Sequence, residues 1–130
     1  MILDSSFLID LMNGNEGAIR VATDLESSAD PQRVPAQVVY ELYVGVGYTE
    51  QTHDEGGKIQ SVLNSRPIVP LTGEIARHAG RIDGQLRRDG ERGGQGDIKI
   101  AATALRYDEP VVTGNPKDFD RIPELIVRDY

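Results

Sequence analysis

Met1-Ile2-Leu3-Asp4-Ser5-Ser6-Phe7-Leu8-Ile9-Asp10-Leu11-Met12 opens the chain as a strand that runs directly into a helix. Met1–Asp4 reads as a short buried strand closed by an acid. Ser5 or Ser6 caps a helix through Phe7–Met12, and Asn13-Gly14 ends it. Outward from this unit the alternation continues. Glu16 to about Ser27 has the helical spacing of Ala18, Ala22 and Leu25, with Ile19 beside them, and Ser28-Ala29-Asp30-Pro31 breaks it. Arg33-Val34-Pro35 is a brief strand, followed by a second apolar helix from Ala36 to about Tyr48. The polar residues 50–57, with Gly56-Gly57, predict a turn or a frayed helix start, and Lys58–Asn64 is helical. Pro67-Ile68-Val69-Pro70-Leu71 is a short strand between prolines. Thr72 caps a helix with Ile75, Ala76, Ala79, Ile82 and Leu86 on one face. Gly90–Gly96 is a glycine-rich loop, Asp97–Tyr107 a helix, Pro110–Thr113 a strand and Leu125–Val127 the last strand, preceded by a short helical turn.

Strands alternating with helical stretches specify an α/β fold, with a short parallel sheet of four to five strands flanked by helices. At 130 residues the chain is expected to form one domain over residues 1–130. Without cysteine, disulfides, thiolate catalysis and a cysteine-based zinc site are excluded. The net charge of −7 argues against binding nucleic acid over the whole surface, while leaving room for a local contact. Arg77, Arg81, Arg87, Arg88 and Arg92 read as a solvated helix face or, more sharply, as phosphate contacts. No apolar run approaches the ~18 residues of a membrane span. Asp4 and Asp10 interrupt the opening segment, which rules out a signal peptide there and makes the cytoplasm the expected location.

Four carboxylates carry the chemistry. Asp4 and Asp118 lie where such sheets build their sites, outside the carboxyl ends of strands. Glu41 is embedded in Val38-Val39-Tyr40-Glu41-Leu42-Tyr43-Val44, and Asp97 opens Ile98-Lys99-Ile100-Ala101-Ala102-Thr103-Ala104-Leu105. Acids in apolar surroundings are costly unless something positive sits among them. A hard divalent ion, Mg²⁺ or Mn²⁺, takes oxygen ligands and keeps several waters. Such an ion activates water and stabilises the oxygens entering and leaving phosphorus. Singly, each acid has a plainer reading: Asp4 and Asp97 as first-turn acids favoured by a helix dipole, Glu41 as half of a salt bridge. Asp118 competes with Asp120. His53 and His78 have no metal spacing between them and read as surface histidines.

Four stretches together resemble the PIN-domain ribonucleases of the VapC toxin type. They are Ile2-Leu3-Asp4-Ser5-Ser6, Pro35-Ala36-Gln37-Val38-Val39-Tyr40-Glu41-Leu42, Gly96-Asp97-Ile98-Lys99-Ile100-Ala101-Ala102-Thr103-Ala104, and Val112-Thr113-Gly114-Asn115-Pro116-Lys117-Asp118-Phe119. The resemblance implies a single PIN-like domain and metal-dependent cleavage of a structured RNA such as tRNA or rRNA. It assigns Asp4, Glu41, Asp97 and Asp118 to catalysis and to Mg²⁺ (or Mn²⁺). It makes Ser6, Thr113 and Asn115 supporting groups around them. A cognate antitoxin and a second copy of the chain, forming a homodimer, are the implied protein partners. Asp118, directly before Phe119, fits the family pattern better than Asp120. Two residues depart from it: Gly114, where many relatives carry Arg or Asn, and Lys99, in an often apolar position. Lys99 falls about 200° around the helix from Asp97 and points away from the acids.

Two other functions remain open on sequence. One is a catalytically degenerate PIN-fold module that only binds. The other, a receiver-like domain phosphorylated on aspartate, needs two adjacent acids after the first strand and an Asp closing a middle strand. Asp4-Ser5-Ser6 and Val69-Pro70-Leu71 supply neither.

Overall fold

Ile2-Leu3 and Val111-Val112 are buried on both faces, the pattern of strands at the centre of a parallel sheet covered on both sides. They form β1 (Ile2–Leu3) and β4 (Val111–Val112), paired in parallel with Ile2 opposite Val111 and Leu3 opposite Val112. A third strand, β5 (Val127–Arg128), pairs in parallel with the other side of β4. β2 (Val34–Pro35) and β3 (Ile68–Val69) make a separate parallel pair. A bridge between Ile2 and Arg33 joins the two sheets, the Leu3 N–H donating to the Arg33 carbonyl at 2.9 Å. Read across this bridge, the strand order is β3-β2-β1-β4-β5. The chain therefore leaves β1 toward one side and returns later on the other. This reversal between β1 and β4 opens a crevice at their carboxyl ends. The computed structural model describes residues 1–49 and 52–130.

Among the described residues, six helices flank the strands: α1 (Ser5–Met12), α2 (Glu16–Ser28), α3 (Ala36–Tyr48), α4 (Thr52–Leu63), α5 (Gly73–Arg88) and α6 (Gln95–Tyr107). Ile2, Leu3, Phe7, Leu8, Leu25, Val34, Val38, Ile100, Val111, Val112 and Phe119 fill the main core. On α6, Ile100, Ala101 and Ala104 face this core, whereas Ile98 and Ala102 face Ile75, Ala79 and Leu86 of α5. The three alanines in this run let α6 pack closely on both neighbours, so it lies between them as a spine.

Two expected helix starts hold chemically: the Asn15 side chain accepts from the Ala18 N–H at 3.0 Å, and Thr72 from the Ile75 N–H at 3.2 Å. Elsewhere the boundaries move. Ser5 and Ser6 do not cap α1 but lie in its first turn; Asp4 holds the cap position, without capping through its side chain. Of the expected turn over 50–57, residues 50 and 51 lie outside the described residues, and Gly56-Gly57 are inside α4 because a helical glycine costs only ~1 kcal/mol each. The glycine-rich loop ends at Gly94, so Gly96 belongs to the first turn of α6. Ala76 and Ile19 are exposed, since α5 and α2 each bury a narrower stripe than their apolar spacing implies. The final strand is Val127–Arg128 instead of Leu125–Val127, set by Thr113 N–H donating to the Arg128 carbonyl at 3.0 Å.

Burial ranks the consequences of truncation. Ile100→Ala, at a fully buried position, is expected to cost about 2–5 kcal/mol. Ile126→Ala, at a position 66% exposed, is expected to stay within about 0.5 kcal/mol. Chemical denaturation of both variants checks the pair; equal losses would show that the core is not where the buried side chains place it.

Candidate functional site

Asp4 ends β1, and its backbone N–H donates to the Val112 carbonyl at 3.0 Å, which fixes it beside the end of β4. Its carboxylate is buried at 4% exposure. Two hydroxyls meet it there: Ser6 Oγ at 2.8 Å and Thr113 Oγ1 at 2.7 Å, both donating to Oδ2. The direction of these bonds is set by the backbone. The Gly114 N–H donates to Ser6 Oγ at 3.0 Å and the Asn115 N–H to Thr113 Oγ1 at 3.0 Å. Each hydroxyl thus accepts from the loop after β4 and turns its own proton onto Asp4. Burial raises the Asp4 pKa, and the Thr113, Ser6 and Ser5 hydrogen bonds pull it back.

Glu41 lies mid-way along α3, half-buried. Ser5 Oγ donates to its Oε1 at 2.9 Å and Gln37 Nε2 to its Oε2 at 3.0 Å. Gln37 is one helical turn earlier on the same face. A methyl group on Gly96 would land on Glu41 Oε2, so the first turn of α6 needs glycine for α3 to bring its acid this close. Asp97 follows in that same turn, where a helix N-terminus ordinarily stabilises the ionised form. Here the opposite wins. Burial, then the charges of Asp118, Asp4 and Glu41, push Asp97 up to about 7.

Asp118 lies in a short 3₁₀ turn, Pro116–Asp118, after β4. It is exposed, and its charge is the largest of the three acting on Asp97. The crevice thus gathers all four acids from β1, α3, α6 and the loop after β4. Among the described residues, no three His, Asp or Glu side chains close into a ready-made ion cage. The acids act on one another through charge, not through contact. Ser6 and Thr113 support Asp4 directly, whereas exposed Asn115 contributes its backbone N–H.

Lys99 is half-buried beside Leu71, Ala79 and Asp83, away from the acids as its position on the helix predicts. Three contributors escaped sequence reading: Ser5 and Gln37 on Glu41, and Gly96 beneath it. The i, i+4 spacing of Gln37 and Glu41 was the one local signal available for them. A fourth is a pair at the edge of the crevice, the Tyr130 hydroxyl donating to Asp10 Oδ2 at 2.6 Å. A side chain at Gly114 would strike both members at 2.7 Å, which accounts for glycine at that departure from the family pattern.

The PIN domain family model matches residues 1–125. The chain belongs to the PIN domain family. A Ribonuclease VapC of Rickettsia bellii (strain RML369-C) is 32% identical over 130 residues, spanning 98% of this chain and 93% of that protein. Among solved structures, VapBC2 from Rickettsia felis, bound to a DNA fragment from its promoter, matches with a TM-score of 0.89 at 22% identity over 99% of this chain and 97% of that one. DNA-bound VapBC from Salmonella typhimurium matches with a TM-score of 0.87 at 24% identity, over 98% of this chain and 96% of that one. The α/β fold of this PIN domain is therefore that of the VapC structures. No helix among its described residues is long and apolar enough to cross a membrane.

The crowding of charge makes a pH prediction. In metal-free protein the Asp97 carboxyl is expected to titrate near pH 7, and Asp118→Asn to move that midpoint down. Its folded pKa lies above the unfolded value of ~3.9, so the proton favours the folded state. The stability it contributes is complete below about pH 4 and is lost as pH rises through about 7. Carboxyl-carbon NMR reads the midpoint directly. An Asp97 midpoint near 4, or one unmoved by Asp118→Asn, would dissolve the cluster.

Proposed function

We propose that this PIN domain is a VapC-type endoribonuclease toxin that hydrolyses phosphodiester bonds of a structured RNA, such as tRNA or rRNA. In this reading Asp4, Glu41, Asp97 and Asp118 hold Mg²⁺ or Mn²⁺, directly or through water. The observation that carries the proposal is the convergence of these acids at one crevice, in a chain 32% identical to a Ribonuclease VapC. The donor set fits a hard divalent ion. It consists of carboxylate and hydroxyl oxygens, it is too open to hold an ion without water, and burial followed by its uncompensated charge raises Asp97. When bound, the ion would supply an activated water and charge stabilisation at phosphorus.

The chain's own groups divide the remaining work. Ser6 and Thr113 occupy Asp4 Oδ2 with their two protons, which holds the carboxylate in one orientation and leaves Oδ1 for a ligand. Ser5 and Gln37 each donate to one oxygen of Glu41, which fixes its orientation too. Asp97, whose carboxyl is pushed up to about 7, would give up its proton to a bound cation. Exposed Asp118 completes the set from the solvent side. An acidic crevice in a chain of net charge −7 repels a phosphate chain, so RNA engagement depends on the cation.

An antitoxin partner has a surface to meet. A cleft of about 320 Å³ between α1, α3 and α4 is walled by Ile9, Met12, Leu42, Val46 and Ile59, with Glu41 at its margin. An apolar segment carrying a basic side chain toward Glu41 would fill it and neutralise the acid. Tyr40, Val44 and Tyr48 on α3 are 66%, 53% and 94% exposed, an apolar strip suited to a partner chain such as a second copy. The binding-only PIN module is the second reading; failure of the purified protein to bind Mn²⁺ would favour it.

The test maps new RNA ends after incubating the purified, antitoxin-free protein with total cellular RNA. Ends at a few sites are expected with Mg²⁺ or Mn²⁺, and none with chelator or with Asp97→Asn. Gly96→Ala gives a sharper check. It should leave thermal stability within about 1 kcal/mol, since alanine suits a helix better, yet displace Glu41 and reduce cleavage at least tenfold. Full cleavage by either variant would overturn the assignment of the acids.

A further inference from the structure

Tyr130 is bound more tightly into the site wall than its place far along the chain suggests. Its hydroxyl donates to Asp10, and its ring packs edge-on to Phe7 with centroids 5.8 Å apart. Two glycines make room for it: a Cβ at Gly17 would lie 3.0 Å from the ring, and one at Gly114 would lie 2.7 Å from the hydroxyl. Gly114 is also the residue whose N–H holds Ser6, and Ser6 holds Asp4. Two residues, Gly114 and Ser6, thus separate the phenol from Asp4. Even so, 37% of Tyr130 remains exposed. It forms a wall of a second pocket of about 400 Å³, whose rim includes Arg20, Thr23, Asp24 and Arg128.

That pocket differs from the crevice in charge. Arg20 and Arg128 are balanced by Asp24 and Asp129, and Arg128 is paired with Asp24 at 3.1 Å. A phosphate would meet two carboxylates there without a net attraction. A neutral, flat group with hydrogen-bonding edges would instead meet the Tyr130 side chain, the Arg20 guanidinium and the Thr23 hydroxyl, whose own proton goes to the Ile19 carbonyl. A nucleobase has those properties, and the volume lies in the ~300–1,000 Å³ range of small-molecule sites. Stacking on an aromatic side chain combined with edge contacts is how unpaired bases are generally held.

We propose that the pocket beside Tyr130 is a nucleobase subsite, which takes an unpaired base of the RNA next to the bond being cut, with Tyr130 as its stacking platform. This rests on the ribonuclease reading of the acidic crevice.

The chain has no tryptophan, so Tyr130→Trp introduces a single fluorophore at the platform. In an Asp97→Asn background, which prevents cleavage, a mixed-sequence single-stranded RNA decamer should quench it. The same ribose-phosphate chain without bases should not. In the wild-type background, Tyr130→Leu should weaken decamer binding by anisotropy and raise KM about tenfold, while Tyr130→Phe restores both. No quenching, or equal quenching by the abasic chain, overturns the subsite. So does a Tyr130→Leu protein that binds RNA as tightly as wild type, a readout that stands if tryptophan does not fit between Gly17 and Gly114. Base-dependent binding by a wild-type protein that never cuts RNA would instead overturn the nuclease reading and leave the subsite standing.

Discussion

A buried carboxylate between two parallel strands organises this molecule. Asp4 sits where β1 and β4 part, in the interior, and a charge there is tolerated only with hydrogen bonds to receive it. Two hydroxyls provide them, and each is oriented by a backbone N–H from the loop that leaves β4. Satisfying one side chain therefore fixes the path of residues 113–115, and through them the turn that carries Asp118. The arrangement ties residues more than a hundred positions apart in sequence. Sheet register and site geometry are consequences of the same small network.

The other acids extend this arrangement outward with progressively less burial. Glu41 and Asp97 are half-buried and Asp118 is exposed, so the unfavourable part of the charge is concentrated on the inner acids. Asp97 shows the tension most clearly, because a helix N-terminus should lower its pKa while burial, and then its acidic neighbours, push it up to about 7. Gly96 permits that closeness: without a side chain it lets α3 and α6 approach until Glu41 lies over the first turn of α6. The fold maintains a repulsive cluster by holding its members individually, Asp4 by Ser6 and Thr113, Glu41 by Ser5 and Gln37.

Much of this was legible before any coordinates. The uninterrupted apolar pairs at Ile2-Leu3 and Val111-Val112 could be little else than central strands, and each led straight to an acid or a polar loop. The helices followed from spacing and from the Thr72 cap. What stayed hidden depends on contacts between distant segments. No local pattern shows that Ser5 serves Glu41 instead of capping α1, or that Gly114 is glycine because Tyr130 and Asp10 occupy the space beside it. Residues 52–57 joined α4 against their glycine content, because tertiary packing of Ile59 and Val62 outweighs a weak local preference. Exposure at Tyr40 and Tyr48 was equally undetermined, since a tyrosine on an apolar helix suits a core and an interface alike.

The four acids come from the first strand, the third helix, the sixth helix and the loop beyond the fourth strand. During synthesis they leave the ribosome one after another, and the set stays incomplete until residues past Asp118 have emerged and folded back onto β1. The acidic set is therefore assembled late, by the pairing of β4 with β1, and no local segment of the chain holds it.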